Sequence, residues 1–258
     1  MEKLIHDPTV CKLGKSIAVY DTRRLALGDY LTALPTIPRI VVWDAGIVDW
    51  GMMLNDKLGS CTCAAIGHII MALTKLHGTE IIPSDDDVLV AYEAVSGYSP
   101  NKPNSDDGAT INDVLNYWAT TGIAGHKILT ALSLEPKNSQ HIYAALYLFG
   151  NIDIGLQLPL TAQKQRIWHV AAGPPFVLRG NRAPGSWGGH SVNVVDIDQN
   201  GLTVVTWGAL KKMTWGFWNT YCDEAYAVLS NDWVDPNKSA PNGFDLASLQ
   251  QDLKDLSV

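Results

Sequence analysis

Positive charge is the first thing this sequence is short of. Its 258 residues include 19 Lys and Arg against 26 Asp and Glu, which gives a net charge of −7, and no basic run is longer than two residues. Nucleic-acid-binding domains usually carry a clustered basic surface. We therefore expect no nucleic-acid partner, and we interpret the acidity as an aid to solubility.

Long apolar runs and cysteines are also scarce. No stretch approaches the roughly 20 apolar residues of a membrane span, and the opening "MEKLIHDPTVCKLGKS" lacks the apolar core of a signal peptide. Four cysteines in so long a chain are too few for a disulfide scaffold. They are Cys11, Cys61, Cys63 and Cys222. We expect reduced thiols, no membrane span, and a cytoplasmic or virion-associated location.

What the chain does contain is helical periodicity in its first half. Apolar residues recur at three- and four-residue spacing after Ser60, a natural N-cap that would make Cys61 the first helical residue. Ser84 and Asp87 form a capping box with Asp in place of Glu. Two further helices are predicted over 111–121 and 140–149, the latter capped by Ser139.

Beyond residue 150 the pattern changes to strands. The predicted strands are "NIDIGLQLP", "PPFVLRG", the hairpin "HSVNVVDIDQNGLTVVTWG" and "AYAVLS", and a short amphipathic helix follows in the tail. Helices followed by strands indicate an α+β fold with two layers. We predict an N-terminal extension (1–36), a helical lobe (37–130), a β lobe (131–235) and a C-terminal tail helix (236–258).

The stretch "NDKLGSCTCAA" carries the most chemistry. A cysteine at a helix start can be activated, because the free N–H groups and the helix dipole stabilise its thiolate. The alternatives are two small residues in a buried helix, or a metal-ligand pair. The spacing of Cys61 and Cys63 does not fit common zinc sites, so we expect no metal and no cofactor, and a structural role for Cys63.

A nucleophilic cysteine also needs a histidine brought in by the fold. Among the seven histidines, His190 is the strongest candidate, because it begins a β-branched strand after the glycine-rich stretch "PGSWGG". The remaining histidines lie in helices, in loops or in segments without a supporting pattern. An ordinary strand residue remains the alternative interpretation of His190.

These motifs together resemble the papain-like cysteine peptidases. The resemblance rests on Gly59 and Ser60 before Cys61, on Asn55 six residues upstream, and on His190, which lies 129 residues downstream. It extends to "IPRIVVWDAGIVDWGMMLN", "DDGATINDVLNYWATTGI", "HSVNVVDID" and "TWG", and so covers about residues 37 to 230. The implied fold has two lobes, a helical one carrying the cysteine and an antiparallel β lobe carrying the histidine.

The resemblance implies roles for individual residues. Cys61 would be the nucleophile, His190 its proton-transfer partner, and Asn55 the side-chain donor of the oxyanion hole, although it is one methylene shorter than the family's Gln. In the family, the third residue is an Asn that lies two residues before a Trp and orients the histidine. The family's spacing counted forward from His190 without a gap leads to Thr206, whereas two residues counted back from Trp207 lead to Val205. We favour Thr206, because the side chain of Val205 has no polar group.

The substrate cleft is also implied by the resemblance. Gly108 matches the glycine that pairs with an extended peptide, Trp207 would shield the histidine, and Trp187 and Trp215 are candidate cleft-wall residues. Thr62 replaces the family's Trp after the nucleophile, and Leu58 replaces its disulfide cysteine. The 36 residues before Ile37 are too few to resemble the family's long inhibitory pro-segment, so we do not expect activation by removal of such a segment.

The function implied is a thiol hydrolase that cleaves amide bonds in peptides or proteins through an acyl-enzyme, in a bacterial or phage member of the family. A peptidoglycan-peptide hydrolase or a transglutaminase-type acyl transferase would use the same chemistry. The alternative from another class is a catalytically silent papain-fold protein that binds protein partners in an assembly.

Overall fold

A computed structural model describes residues 7–34, 36–44, 46–173, 177–230 and 244–256. The helices are α1 (Cys61–Leu76), α2 (Asp85–Ser96), α3 (Ile111–Thr120), α4 (Ser139–Phe149), α5 (Trp215–Tyr221) and α6 (Leu246–Leu256). The strands are β1 (Val41–Val42), β2 (Ile128–Leu134), β3 (Ile152–Leu158), β4 (Gly188–Ile197), β5 (Gly201–Thr206), β6 (Ala209–Thr214) and β7 (Cys222–Ser230).

Local capping chemistry explains the starts of α2 and α4 but not that of α1. α2 begins with the expected capping box, in which Ser84 and Asp87 satisfy each other's backbone N–H groups. α1 begins at Cys61 as predicted, but the Ser60 hydroxyl donates to the Met53 carbonyl at 3.4 Å and does not cap the helix. α4 is capped by Asn138 and not, as predicted, by Ser139, which is its first helical residue.

One antiparallel sheet forms the centre of the fold. Its strands lie in the order β2-β7-β3-β4-β5-β6, and β1 pairs with β4. Two of these strands, β2 and β6, and the helix α5 were not predicted, because "ILTALSL", "ALKKMT" and "WGFWNTY" are too short or too irregular to show a clear period. The predicted strand "PPFVLRG" lies partly outside the described residues, and the prediction is wrong for its described part, because 177–179 form no strand and a short 3-10 helix begins at Gly180.

The two faces of the sheet carry two separate hydrophobic cores. Helices α1, α2 and α3 pack on one face, around Ile66, Ile69, Leu115 and Trp118. Helices α4, α5 and α6 belong to the other core, around Phe149, Trp168, Phe217 and Leu249. β3 reads as alternating in the sequence, yet six of its seven residues are buried because it is a central strand covered on both faces.

The fold class is therefore α+β with an antiparallel sheet, as the sequence predicts. The predicted boundary between residues 130 and 131 falls within β2, and the one between 235 and 236 lies outside the described residues. Across the part of the chain that is described, none of the helices is both long and apolar enough to cross a bilayer.

Candidate active site

Cys61 lies at the point where the first helix meets the sheet. It is the first residue of α1, and it is only 1% exposed. The backbone N–H groups of Ser191 and Gly14 both donate to its thiol and lower its pKa, but burial outweighs them and raises the pKa to about 11. In this arrangement the thiol is protonated at neutral pH.

His190 lies on β4, next to the residue that contacts the thiol. Its Nε2 lies 2.7 Å from the Thr206 hydroxyl, and its ring stacks on Trp207 with centroids 4.2 Å apart and planes 15° apart. The antiparallel pairing of β4 with β5 brings the two side chains together, since Asn193 faces Val205 in the register. Both His190 and Thr206 are buried.

The structure thus brings three of the predicted residues to one place. Ser191, which directly follows His190, donates its N–H to the Cys61 thiol, so the sulfur lies against the strand that carries the imidazole. Thr206 and not Val205 contacts the imidazole, while Val205 is buried in the core shared with α1. The catalytic roles of these residues remain predictions.

Asn55 lies in a strained loop just before α1. Its side-chain amide donates to the Leu58 carbonyl at 3.2 Å, and the residue is buried. The two residues before it, Met53 and Leu54, have φ angles of 48° and 62°, which non-glycine residues seldom adopt. Such strain persists only where the surroundings impose it, and it clusters at functional sites. Trp207, beside His190, has a φ of 44°.

Gly108 lies in the loop that precedes α3, on the side of Cys61 away from the Asn55 loop. Its φ is +78°, and its N–H donates to the Tyr92 hydroxyl at 3.1 Å. Tyr92 in turn donates to Asp106, and both carboxylate oxygens of Asp106 accept the Gly59 N–H at 3.1 Å. This network joins the loop that carries Gly108 to the turn that precedes Cys61. Sequence reasoning missed Tyr92 and Asp106, whose patterns indicated only a helix face and a turn.

The two remaining tryptophans differ in position. Trp187 lies next to Trp207, with ring centroids 5.5 Å apart, and therefore close to the histidine. Trp215 was predicted as a cleft-wall residue, but its indole donates to the Asp198 carbonyl at 3.0 Å and stacks on Tyr143 of α4. Asp198 is in the β4–β5 turn, at the other end of the hairpin from His190, which places Trp215 roughly 20 Å away along the strands.

A segment from the predicted N-terminal extension occupies the space between Cys61 and the loops that carry Asn55 and Gly108. We define residues 11–16 as the cleft segment. The Lys12 N–H donates to the Asn55 carbonyl at 3.0 Å, and Ala109 bonds the Gly14 carbonyl (2.9 Å) and the Ser16 N–H (3.0 Å). On the sheet side, Lys15 donates its N–H to the Gly189 carbonyl at 3.1 Å.

The cleft segment fits so closely that one position must be glycine. A Cβ at Gly14 would lie 1.8 Å from the Gly59 carbonyl oxygen, well inside contact distance. The segment is held by backbone hydrogen bonds on both sides, and Lys15 forms an isolated β-bridge with Ala109. No local pattern predicts this covering, because "CKLGKS" has no period and its partners lie nearly 100 and 175 residues further along the chain.

The other cysteines lack these surroundings. Cys63 is fully buried, and burial raises its pKa far above its usual range. All four cysteines are free thiols. Among the described residues, no group of three or more His, Cys, Asp or Glu side chains could hold a metal ion.

Comparisons with known proteins reveal only structural likeness. No family model and no curated protein matches the sequence. Xylellain, a cysteine protease from Xylella fastidiosa, superposes with a TM-score of 0.65 at 15% identity, over 86% of this chain and 97% of that chain. A digestive procathepsin L 3 from the larval midgut of Tenebrio molitor gives a TM-score of 0.58 at 12% identity, over 86% and 77%.

A third solved structure shows the same likeness in fold at low identity. A cysteine protease from Carica candamarcensis, solved in complex with E-64, gives a TM-score of 0.54 at 13% identity, over 76% of this chain and 100% of that chain. Identities this low carry the fold and not the activity. With Cys61 at the start of α1 and His190 on β4 of the sheet, the chain adopts the fold of the papain-like cysteine proteases.

Proposed function

We propose that this protein is a thiol hydrolase that cleaves amide bonds in peptides or proteins through a Cys61 acyl-enzyme. The observation that carries the proposal is the Nε2–Thr206 hydrogen bond of 2.7 Å under the stacked Trp207 ring. It fixes the His190 ring beside the strand residue whose N–H reaches the Cys61 thiol. A merely structural cysteine needs no such arrangement.

The chemistry would proceed in two halves. Because Thr206 engages Nε2, Nδ1 is the nitrogen that takes the thiol proton and later gives it to the leaving amine. The sulfur attacks the carbonyl carbon, the carbon–nitrogen bond breaks, and a thioester forms. Water, deprotonated by the same imidazole, then releases the acid and restores the thiol.

Negative charge on the carbonyl oxygen requires donors. The first N–H groups of α1, including that of Cys61, point outward from the helix start, and the Asn55 amide lies in the loop just before it. For Asn55 to act, its amide must turn from the Leu58 carbonyl towards the substrate. Loss of one such donor typically costs about 3–4 kcal/mol of transition-state stabilisation.

The cleft segment makes the structure a covered form of this enzyme. It lies against the thiol, whose burial raises the pKa of Cys61 to about 11, although Gly14 and Lys15 of the segment themselves lower this pKa. Only about one thiol in a thousand would then be ionised at pH 8. The segment must leave before a peptide enters, and hydration of the exposed thiol then lowers its pKa. In this proposal residues 11–16 restrain the site without a long inhibitory pro-segment, and removal of such a pro-segment is still not expected.

A catalytically silent protein is the second candidate. It is favoured by the Asn55 amide, which faces a neighbouring carbonyl, and by the covered thiol. Four free cysteines fit a reducing compartment or a virion for either candidate. For a silent protein, the cleft would serve only to bind its own segment or a protein partner.

The two candidates can be separated with Gly14→Leu in the full-length chain, which expels the cleft segment by the backbone clash described above. We expect iodoacetamide to label Cys61 at least tenfold faster in this variant than in the parent at pH 7.5, and a quenched peptide pool to be cleaved. Cys61→Ala in the Gly14→Leu chain should abolish cleavage, whereas Cys63→Ala should retain it. Rapid labelling of Cys61 without any peptide cleavage would establish the silent protein.

A further inference from the structure

The side chain of Lys15 enters an acidic pocket beside the candidate active site. Its ammonium group lies 2.8 Å from a Glu224 oxygen and 3.0 Å from an Asp223 oxygen, and the side chain is completely buried. Asp153, also buried, faces the same pocket with one oxygen held by the Ser191 hydroxyl at 2.9 Å. Ser191 is the residue that contacts the Cys61 thiol, so this pocket adjoins the reacting atoms.

The carboxylates of the pocket are oriented by side chains of the sheet. The Gln157 amide donates to Asp223 at 2.7 Å, and the Tyr226 hydroxyl donates to the second oxygen of Glu224 at 2.8 Å. Neither bond involves Lys15, and all four partners belong to strands of the sheet. The pocket is therefore preorganised to receive positive charge.

The pocket also has room for a long aliphatic side chain. A Cβ at Gly155 would lie 2.1 Å from Lys15 Cε and 2.6 Å from Glu224 Cγ, so the bare backbone at this position provides the space for the lysine methylenes. Central strands seldom contain glycine unless another group approaches closely. In β3 that group is the side chain of Lys15.

Lys15 is the cation in direct contact with these carboxylates. Arg24 lies near Glu224, but its guanidinium is over the Tyr226 ring, 5.4 Å from the centroid. Its donors are taken by Asn112, Asn116 and the Ala131 carbonyl. Departure of the cleft segment would leave Glu224 and Asp223 without the ammonium group, and an uncompensated buried charge is costly.

We propose that this acidic pocket is the specificity site of the enzyme, and that it selects substrates with a lysine or arginine side chain near the cleaved bond. The inference rests on the proposed function. Lys15 occupies the site that the substrate's cation takes when the cleft segment has left. Glu224 and Asp223 supply the charge, and Gly155 supplies the room.

The test uses the full-length Gly14→Leu chain and quenched peptides in which one lysine is moved along an alanine-rich frame, with norleucine and glutamate counterparts. At one position near the cleaved bond, we expect kcat/KM for lysine to exceed that for norleucine at least tenfold, with arginine accepted and glutamate poorest. Norleucine peptides cleaved as well as lysine peptides at every position would overturn the inference. Glu224→Gln should bring the lysine-to-norleucine ratio close to one, and the exposed control Glu135→Gln should not.

A binding measurement separates this inference from the proposed function. The probe is a fluorescent peptide, Ser-Lys-Leu-Gly-Lys-Ser-Ile, which repeats residues 11–17 with Ser in place of Cys11. With Cys61→Ala added to the Gly14→Leu chain, this peptide should bind at least tenfold more tightly than the same peptide with norleucine in place of its second lysine, which corresponds to Lys15. This difference without peptide cleavage by the Cys61 form would overturn the hydrolase and retain the pocket. Equal binding would overturn the pocket. If Gly14→Leu does not fold, Lys15→Glu is used instead in every measurement, because it places a carboxylate against Glu224.

Discussion

A single hydroxyl group fixes the orientation of the candidate imidazole. Thr206 is our candidate for the position that the papain-like peptidases fill with an Asn, and its Oγ lies 2.7 Å from His190 Nε2. A hydroxyl can accept the N–H of a ring as an amide oxygen does. The difference from the family pattern therefore preserves the hydrogen bond, and Trp207 excludes water from it by stacking on the ring.

This hydrogen bond can be tested by shape-conserving substitution. In the Gly14→Leu chain, Thr206→Val keeps the volume but removes the hydroxyl, and we expect kcat to fall about 10- to 100-fold with a displaced pH profile. Thr206→Ser should restore most of the rate, because it returns the hydroxyl without the methyl group. A Val variant as active as its parent would remove Thr206 from the mechanism.

Asp153 is a buried acid whose protonation depends on the fold. Burial is the main cause that raises its pKa to about 8, against the bond from Ser191. Its Oδ2 has no hydrogen-bond partner among the described residues. The folded protein therefore retains this proton up to about pH 8, whereas the unfolded chain loses it near pH 4. Stability should accordingly decrease as the pH rises between these values.

Asp153→Asn imitates the protonated acid and should remove this pH dependence. We expect the variant to match the parent at pH 4 and to be more stable at pH 8 by several kcal/mol, up to about 5 kcal/mol for a pKa difference of four units, with a clearly higher melting temperature. Thermal unfolding between pH 4 and 8 measures the difference. Asp107→Asn, at an exposed position, is the matched control and should follow the parent. Parallel curves for parent and Asp153→Asn would refute the assignment.

Among the elements, α1 and the cleft segment together decide the state of the thiol. A helix start favours the thiolate, but this effect is outweighed once an extended segment removes water from the site. The segment is bound by backbone pairing with Ala109 and Gly189 and by the Lys15 ion pairs. Opening of this segment, and not unfolding of either core, should control access to Cys61.

Lys15→Ala should therefore increase access without changing the cores. We expect iodoacetamide to label Cys61 about tenfold faster or more, because the ion pairs are lost from the closed form while its backbone bonds remain. Lys12→Ala removes an exposed side chain three residues away and should label at the parental rate. Labelling followed by mass spectrometry gives both rates, and identical rates would show that Lys15 does not hold the segment.

Segments that are far apart in the sequence pack together in the core on one face of the sheet. α6 belongs to the core of α4 and α5, where Leu249 is fully buried, and the Tyr30 hydroxyl donates to Asp252 at 2.7 Å. Phe244, just before α6, packs edge-on against Phe149 of α4 with centroids 5.1 Å apart. The tail helix thus completes one face of the fold.

Removal of this packing should destabilise the protein. Leu249→Ala should lower the free energy of unfolding by about 2–4 kcal/mol, since it leaves a cavity in a closed core. Lys254→Ala, on an exposed position of the same helix, should change it by less than about 0.5 kcal/mol. Denaturant unfolding measures both, and equal effects would mean that α6 does not contribute to the core.

The sequence by itself determined the start of α1, the capping box of α2, the β4–β5 hairpin and the α+β class. These depend on caps, turn residues and periodicity, which act over a few residues. It also singled out Cys61, His190, Asn55 and Thr206, through chemistry and through the resemblance. It misjudged Trp215, because distance along a hairpin cannot be seen from composition, and it missed β2, β6 and α5.

Only the tertiary structure decided the state of the site. The covering of Cys61 by residues 11–16, the Lys15 ion pairs and the room left by Gly155 join parts of the chain separated by up to 209 residues. Such contacts depend on how the two cores close on each other, and no local pattern encodes that geometry. For the same reason the raised pKa of Cys61 is a property of the assembled cleft and not of its helix.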